Sequence, residues 1–534
     1  MLWQQEVDFL VIGSGAAGMT AAITAEAKGL TTLVVEKSAS YGGTSALSGG
    51  VLWLPNHSMM AAAGIEDSES DAMRYLSQLV SADVPGVKLQ AFVSQAGEML
   101  DFMQRHSLLK YTPAKKYPDY YAELSGGKKG ARSLDPVPYS RRQLGRVLSG
   151  QMCSSEVRNK SFSMTAHEAH VIFSFTWRST LVIYRRLLAY WLDIPARINK
   201  RPDNRLTLGR ALVGRLRKTL ANKSIDLLLQ VSADEIYIGG DSIVGVKCIK
   251  EGQPYNIKVN RGVLLASGGF AHNPAMREKY HGNAAHAQWT ASNKSDTGDG
   301  IRIGVNAGAA TSMMSYAWWT PTMVYPDGRR EAFIVGKSLP YSVVVNKKGL
   351  RFGNEAAPYE DFVKNQRRSD SKGDEAIPAY FIFDARYRRE YPLGMAMAPA
   401  KFLADEHFSD LFESGWIKKA ESLEALAKLC GICEEGLLQT AKKMAIFARC
   451  GEDEDYQRGN SLNDTYYSDH RVSPNPCLSG LLQAPFYAIK LWPGDLGTKG
   501  GLTTNAFSQV LREDGRLIHG LYAAGNVSAS VMGD

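Results

Sequence analysis

Near the start of the chain, Gly13-Ser14-Gly15-Ala16-Ala17-Gly18 has the residue types and spacing to hold a diphosphate on backbone N–H groups. Gly13 permits a tight turn, Gly15 lets a pyrophosphate approach the main chain, and Gly18 lets a helix pack close to a strand. The N-terminus of that helix adds free N–H donors and the positive end of its dipole. Glu36 lies eighteen residues past Gly18, where a carboxylate can accept hydrogen bonds from ribose hydroxyls. Directly after it, the stretch from Lys37 to Gly50 mixes paired glycines with hydroxyls: Gly42, Gly43, Thr44, Ser45, Ser48, Gly49 and Gly50. Such a loop can run against a diphosphate and onward to a flat ring system, offering backbone N–H groups.

These residues need particular elements around them. Asp8 to Ile12 is a short apolar run expected to form a buried parallel strand. Met19 to Lys28 has helical spacing, and Thr32 to Val35 is a second strand that delivers Glu36. Strand, glycines, helix, second strand and acid in this order define a dinucleotide unit, and the loop after Glu36 favours FAD over NAD. Gly262 to Gly269 repeats the strand-to-glycine pattern and brings Ala266, Ser267 and Gly268 to a turn. Gly520 to Asn526 does so again near the other end, with Gly525 and Asn526 in a small-residue turn.

A chain of 534 residues is too long for one compact core and predicts two domains. With 44% hydrophobic and 22% charged residues it reads as globular. The six cysteines are scattered and suggest no disulfide framework, so a reducing cytoplasm is the expected setting. Cys430-Gly431-Ile432-Cys433 lacks the strand–helix context of a redox motif and is read as structural. The histidines form no metal-binding pattern, so no metal is expected. No secretory leader and no apolar run of ~20 residues is evident, so no membrane span is expected.

Taken together, the glycine-lined segments at both ends and in the middle resemble the fumarate reductase and succinate dehydrogenase flavoproteins. The resemblance implies FAD as cofactor and an α/β fold: a Rossmann-like FAD-binding domain with an inserted α+β catalytic, or capping, domain. The FAD-binding domain is expected over 1–312 and 478–534, the second part apparently cut short, with the capping domain over 313–477. In fumarate reductases the position matching Tyr359 holds an arginine, and a histidine-containing motif takes the place of Leu496 to Gly501. A dicarboxylate needs such cationic groups, so fumarate chemistry is not expected.

Instead, Asn354-Glu355-Ala356-Ala357-Pro358-Tyr359, Asp495 to Gly501, Gly520 to Gly533 and Pro118-Asp119-Tyr120-Tyr121 resemble the 3-ketosteroid Δ1-dehydrogenases. That resemblance implies FAD-dependent 1,2-desaturation of a 3-ketosteroid. Tyr359 would take the C2 proton while C1 gives a hydride to flavin N5, with Tyr120 or Tyr121 as neighbour or pocket wall. An external electron acceptor, such as a quinone, would reoxidise the flavin. Desaturation at the 4,5 bond of a 5α-3-ketosteroid, another enone reaction, and a non-catalytic FAD-binding protein are the alternatives. The family also polarises the 3-keto oxygen through a Tyr-Pro-Gly-x-Gly stretch that follows a Met-Gly pair. This sequence reaches Met532-Gly533-Asp534 first, and the expectation is that the stretch lies beyond Asp534. Trp318 and Trp319 are expected either at the pocket or in the core.

One segment, about 160–205, is foreign to the flavoprotein pattern. Between Val171 and Arg201 stand Phe173, Phe175, Trp177, Tyr184, Tyr190 and Trp191. The same stretch has six cations (Arg178, Arg185, Arg186, Arg197, Lys200 and Arg201) against one acid, Asp193. Leu181, Tyr184, Leu188 and Trp191 follow helical spacing. A basic, aromatic amphipathic helix can lie in a bilayer interface, which predicts peripheral contact with the inner face of the cell membrane through about 171–201. The alternative is a helix packed on its own protein or on another subunit. No nucleic-acid-binding module accompanies these charges, so nucleic acid is not an expected partner.

Overall fold

The computed structural model describes residues 2–154, 163–173, 177–198, 203–282, 285–395 and 397–534. The strand Gln5–Ile12 buries Leu10, Val11 and Ile12 and pairs in parallel on both sides. Its partners are Thr32–Glu36, with Ile12 opposite Val35, and Gln253–Leu265, with Ile12 opposite Leu265. Gln253–Leu265 pairs in parallel with Leu517–Ala523, so that Leu265 faces Ala523. Four parallel strands therefore end at one edge of an eight-stranded sheet. The turns that follow them converge there, which is where open α/β sheets take ligands. This register explains how residues from both ends of the chain reach one site.

The helix Ala16–Ala27 buries Gly18, Met19, Ala22 and Ile23. A Cβ at Gly18 would stand 2.1 Å from the Gly13 carbonyl oxygen, so the close helix–strand approach requires glycine there. Leu208–Asn222 packs beside it, with Ala211, Val213, Leu216 and Leu220 in the same apolar cluster.

The second sheet is antiparallel. Its strands run Arg330–Ala332, Ala317–Val324, Phe486–Thr498, Ala379–Phe383 and Ser342–Val345, with Lys418–Ala420 also paired to Phe486–Thr498. This sheet spans the expected boundary at 478. Phe486–Thr498 pairs with Ala317–Val324 and Ala379–Phe383, so it belongs to the capping sheet. An apolar strand carries no mark of its pairing partner, and composition could not place it.

Among its described residues the basic segment folds as three helices, Ala166–Phe173, Trp177–Leu192 and Ile194–Ile198. A capping box starts the first: the Glu168 N–H donates to Thr165 Oγ1 (3.1 Å), and the Thr165 N–H donates to Glu168 Oε2 (2.9 Å). Arg205 holds Glu168 bidentately, at 2.7 and 3.0 Å, and ties the helices to the body. Among the described residues, no helix is long and apolar enough to cross a membrane.

Candidate active site

A cleft of about 380 Å³ opens at the convergent strand ends. Of the residues expected to bind the nucleotide, Gly13, Gly15, Ala16, Ala17, Glu36, Lys37, Gly43, Thr44, Ser45, Ser48, Ala266, Ser267, Gly268, Gly525 and Asn526 line it. Ser14 stands behind the wall. Its hydroxyl donates to Glu36 Oε2 (2.7 Å) and accepts from the Gly42 N–H (3.0 Å), which fixes the carboxylate that faces the cleft. Gly18, Gly42 and Gly50 allow packing: a Cβ at Gly42 would meet Val213 at 2.7 Å, and one at Gly50 would meet the Gly209 nitrogen at 2.7 Å. Gly49 is exposed outside the cleft.

Other lining residues escaped the sequence reading. Val231, Ser232 and Ala233 contribute a strand start, and Asn293, Ser295, Asp296 and Asp299 a second loop. Thr44 Oγ1 donates to Asp296 (2.7 Å) and accepts from the Asn293 N–H (2.9 Å), so the two loops lock together. Lys37 pairs with Asp299 and donates to Thr297 Oγ1. Burial pushes the Asp296 carboxyl up to about 7. The clustering of Asn, Ser, Thr, Asp and Gly over 293–300, just ahead of a helix, was the available signal.

The Ser267 hydroxyl is buried, lines the cleft and has no hydrogen-bond partner among the described residues, so it can meet a ligand atom. With the glycine turns and the helix start at Ala16, this suits a dinucleotide. When bound, FAD supplies the ring system that accepts a hydride.

Beside this cleft stands a group of tyrosines. Tyr359 is the first residue of the helix Tyr359–Ser369, directly after Pro358. The Tyr120 ring meets it edge-on, with ring centroids 5.8 Å apart. Tyr117 lies 6.5 Å from Tyr120 and 4.8 Å from Tyr466, and Tyr467 packs on both Tyr117 and Tyr466. Tyr117, Tyr120, Tyr359 and Tyr467 are each half-buried, none sealed in the core. Burial raises Tyr359 above the ordinary phenol range, and the Tyr120 hydroxyl opposes that rise. Tyr120 is itself raised well above the phenol range by burial.

The structure separates the two adjacent candidates. Tyr120 faces Tyr359, whereas the Tyr121 hydroxyl donates to Asp361 (2.7 Å) and fastens the first turn of the Tyr359 helix. Asp119 anchors the segment, accepting from Trp53 Nε1 (2.7 Å), Arg132 Nη1 (2.8 Å) and the Lys128 N–H (2.9 Å). Trp318 and Trp319 also part ways. Trp319 is core, 2% exposed, while the indole N–H of Trp318 donates to Asn526 Oδ1 (3.2 Å) at the cleft rim.

Three contacts connect the tyrosines to the nucleotide cleft. Lys499 Nζ pairs with Glu360, the residue after Tyr359, and lies 4.6 Å over the Trp318 ring. Trp318 in turn reaches Asn526, a lining residue of the cleft.

This fold and site define a flavoprotein, and the "FAD binding domain" family model matches residues 8–534. The chain is 37% identical to the 3-oxosteroid 1-dehydrogenase of Mycolicibacterium smegmatis, over 99% of this chain and 93% of that protein. It is 33% identical to the 3-oxosteroid 1-dehydrogenase of Comamonas testosteroni, over 99% of this chain and 92% of that one. The crystal structure of the 3-ketosteroid Δ1-dehydrogenase of Sterolibacterium denitrificans, in complex with 1,4-androstadiene-3,17-dione, superposes with a TM-score of 0.94. Identity there is 36%, covering 99% of this chain and 95% of that chain. The chain belongs to the 3-oxosteroid 1-dehydrogenase family and is an FAD-dependent oxidoreductase, as its sequence led us to expect.

Proposed function

We propose that this chain introduces the 1,2 double bond of a 3-ketosteroid, with Tyr359 as the base that takes the C2 proton. The observation that carries this reading is the Tyr359–Tyr120 pair, enclosed by protein and tied through Glu360, Lys499 and Trp318 to the rim of the FAD cleft. A fused-ring ketone suits a cleft walled by aromatic rings, here Tyr117, Tyr466 and Tyr467. The C2–H bond becomes acidic as the neighbouring carbonyl is polarised. The Tyr120 side chain opposes the rise that burial imposes on the Tyr359 phenol, which lowers the cost of its phenolate form. Bound FAD would supply the acceptor for the hydride that leaves C1 as the proton departs, and an external quinone-type acceptor would reoxidise the enzyme.

Anaerobic incubation with a 4-ene-3-ketosteroid or with its 5α-saturated counterpart tests the position of the new bond. The expected product is the 1,4-diene from the 4-ene steroid, identified by mass and ultraviolet absorbance. A 4-ene product from the 5α steroid, with the 4-ene steroid unchanged, would mean desaturation at the 4,5 bond.

A second reading concerns where the enzyme meets its substrate. Trp177, Leu181, Tyr184, Leu188 and Trp191, spaced along one stripe of their helix, are each 58–72% exposed. Ile194 and Ile198 extend that face. Phe175, Lys200 and Arg201 lie outside the described residues. Arg185 is exposed beside the stripe, and the Arg142 side chain is 68% exposed nearby. His170 of the preceding helix stacks on Tyr466 at 4.0 Å, which joins that helix to the tyrosine cluster. We propose that the apolar stripe lies in the interface of an anionic bilayer, with arginines at the phosphates, beside the entrance for an apolar substrate. Flotation with phosphatidylglycerol vesicles should carry the native protein upward. Replacing Leu181, Leu188 and Trp191 by Ser should cut this binding by ~10-fold or more while turnover of dissolved steroid persists. Native protein that ignores vesicles, or a triple variant altered only in oligomeric state, would instead make the stripe an interface between protein chains.

A further inference from the structure

A buried ammonium group is costly unless its hydrogen bonds do something specific. Lys337 lies on the short turn Gly336–Ser338 and is 1% exposed. Its Nζ donates to the carbonyl oxygens of Glu355 and Ala357, both at 2.7 Å. These carbonyls bracket Ala356 and stand just ahead of Pro358 and Tyr359. The same stretch is gripped from its other side, where Asn354 Oδ1 accepts from the N–H groups of Ala356 (2.8 Å) and Ala357 (3.2 Å). Asn354 also donates to Asp464 (2.8 Å), on the helix Leu462–Tyr466 that supplies part of the aromatic wall. The Phe362 ring, on the Tyr359 helix, lies 5.5 Å from Nζ.

The charged groups around this amine are Glu355, Asp361, Asp464 and Arg458. Arg351 holds the Glu355 carboxylate at 2.9 and 2.7 Å, and Arg458 stands 3.4 Å from it. Arg458 donates to the carbonyls of Ser342 (3.0 Å) and Leu339 (2.8 Å), so the core beneath has its own braces. The two hydrogen bonds of Lys337 go to the backbone that delivers the tyrosine.

We propose that Lys337 is a positioning residue for the base: it holds the main chain ahead of Tyr359 so that the phenol oxygen keeps its place against Tyr120 and the substrate C2. This rests on the reading of Tyr359 as base. Methionine is one atom shorter than lysine and close to it in volume, but releases both carbonyls. A misplacement of ~1 Å at a reacting atom can lower a rate ~10²-fold without touching the chemistry itself.

The test is a double-mutant cycle on the full-length, FAD-loaded enzyme, read as the rate of flavin reduction by a 4-ene-3-ketosteroid in a single anaerobic turnover. K337M should lower that rate ~10²-fold, with FAD content and affinity for the 1,4-diene product within about twofold of the native values. K337M combined with Y359F should be no slower than Y359F alone, because Lys337 acts only through Tyr359. Losses that multiply, or a K337M enzyme as fast as the native one, overturn the proposal. A Y359F enzyme at the native rate removes the base assignment and this proposal with it, and is recognised in that arm alone. Should K337M not fold as a flavoprotein, K337Q enters the same cycle. Its amide can serve one carbonyl, so the expected loss is smaller and must again vanish in the Y359F background.

Discussion

The Tyr359→Phe enzyme is expected to bind FAD normally yet reduce it with steroid ~10³-fold more slowly or worse. A positioned general base contributes ~10²–10⁴-fold to a proton transfer. Phenylalanine keeps the ring that packs edge-on against Tyr120 and loses only the oxygen. The links from Tyr359 to the cleft rim run through Glu360, Lys499 and Trp318, and the substitution leaves these side chains in place. Stopped-flow absorbance separates the two functions by giving flavin content and reduction rate from one sample. The pH profile adds a signature. Burial raises the phenol, so at neutral pH most Tyr359 is protonated and the reactive fraction grows as pH rises. The native kcat/KM should climb from neutral into alkaline solution, and the Phe variant should lose that slope. A variant that keeps the native rate and slope would place the base elsewhere.

A second large effect is expected at the other end of the site. Gly13 has φ +112°, and a Cβ there would stand 2.4 Å from the Ala266 carbonyl oxygen and 2.8 Å from the Ser267 Cα. Alanine therefore meets both an unfavourable backbone conformation and rigid main chain, and the turns after Ile12 and Leu265 cannot keep their spacing. Both turns line the FAD cleft, so Gly13→Ala should purify largely without flavin and bind added FAD ~10²-fold more weakly or worse. Gly86→Ala is the control, because a Cβ there meets nothing within 4 Å. Titration followed by flavin fluorescence distinguishes them. Tight FAD binding by the Gly13 variant would show that this turn is not part of the cradle.

The sequence made parts of this site legible for physical reasons. A strand that ends in glycine before a helix is a local pattern, and the turns at Gly13, Ala266 and Gly525 could be read one at a time. The parallel register of Gln5–Ile12, Gln253–Leu265 and Leu517–Ala523 then brings them together. The stripe from Trp177 to Trp191 was legible for a similar reason, since helical periodicity alone puts those residues on one side. Residues whose role depends on a distant partner were harder. Asp296 and Asn293 join the cleft only because Thr44, some 250 positions earlier in the chain, hydrogen-bonds to both. Tyr120 and Tyr121 look equivalent as letters, yet one faces Tyr359 and its neighbour turns to Asp361. Lys337 gave no signal at all, because the carbonyl oxygens it holds belong to backbone common to every residue type.

The proposed reaction is one coupled event, removal of the C2 proton by Tyr359 as C1 yields its hydride. The most direct measurement mixes the oxidised enzyme anaerobically with a 4-ene-3-ketosteroid deuterated at C2, and with the unlabelled compound, and follows the flavin absorbance. The predicted result is bleaching in both cases, slower with the deuterated steroid in the native enzyme. A flavin that stays oxidised, or that bleaches at one rate whichever steroid is used, would contradict the account.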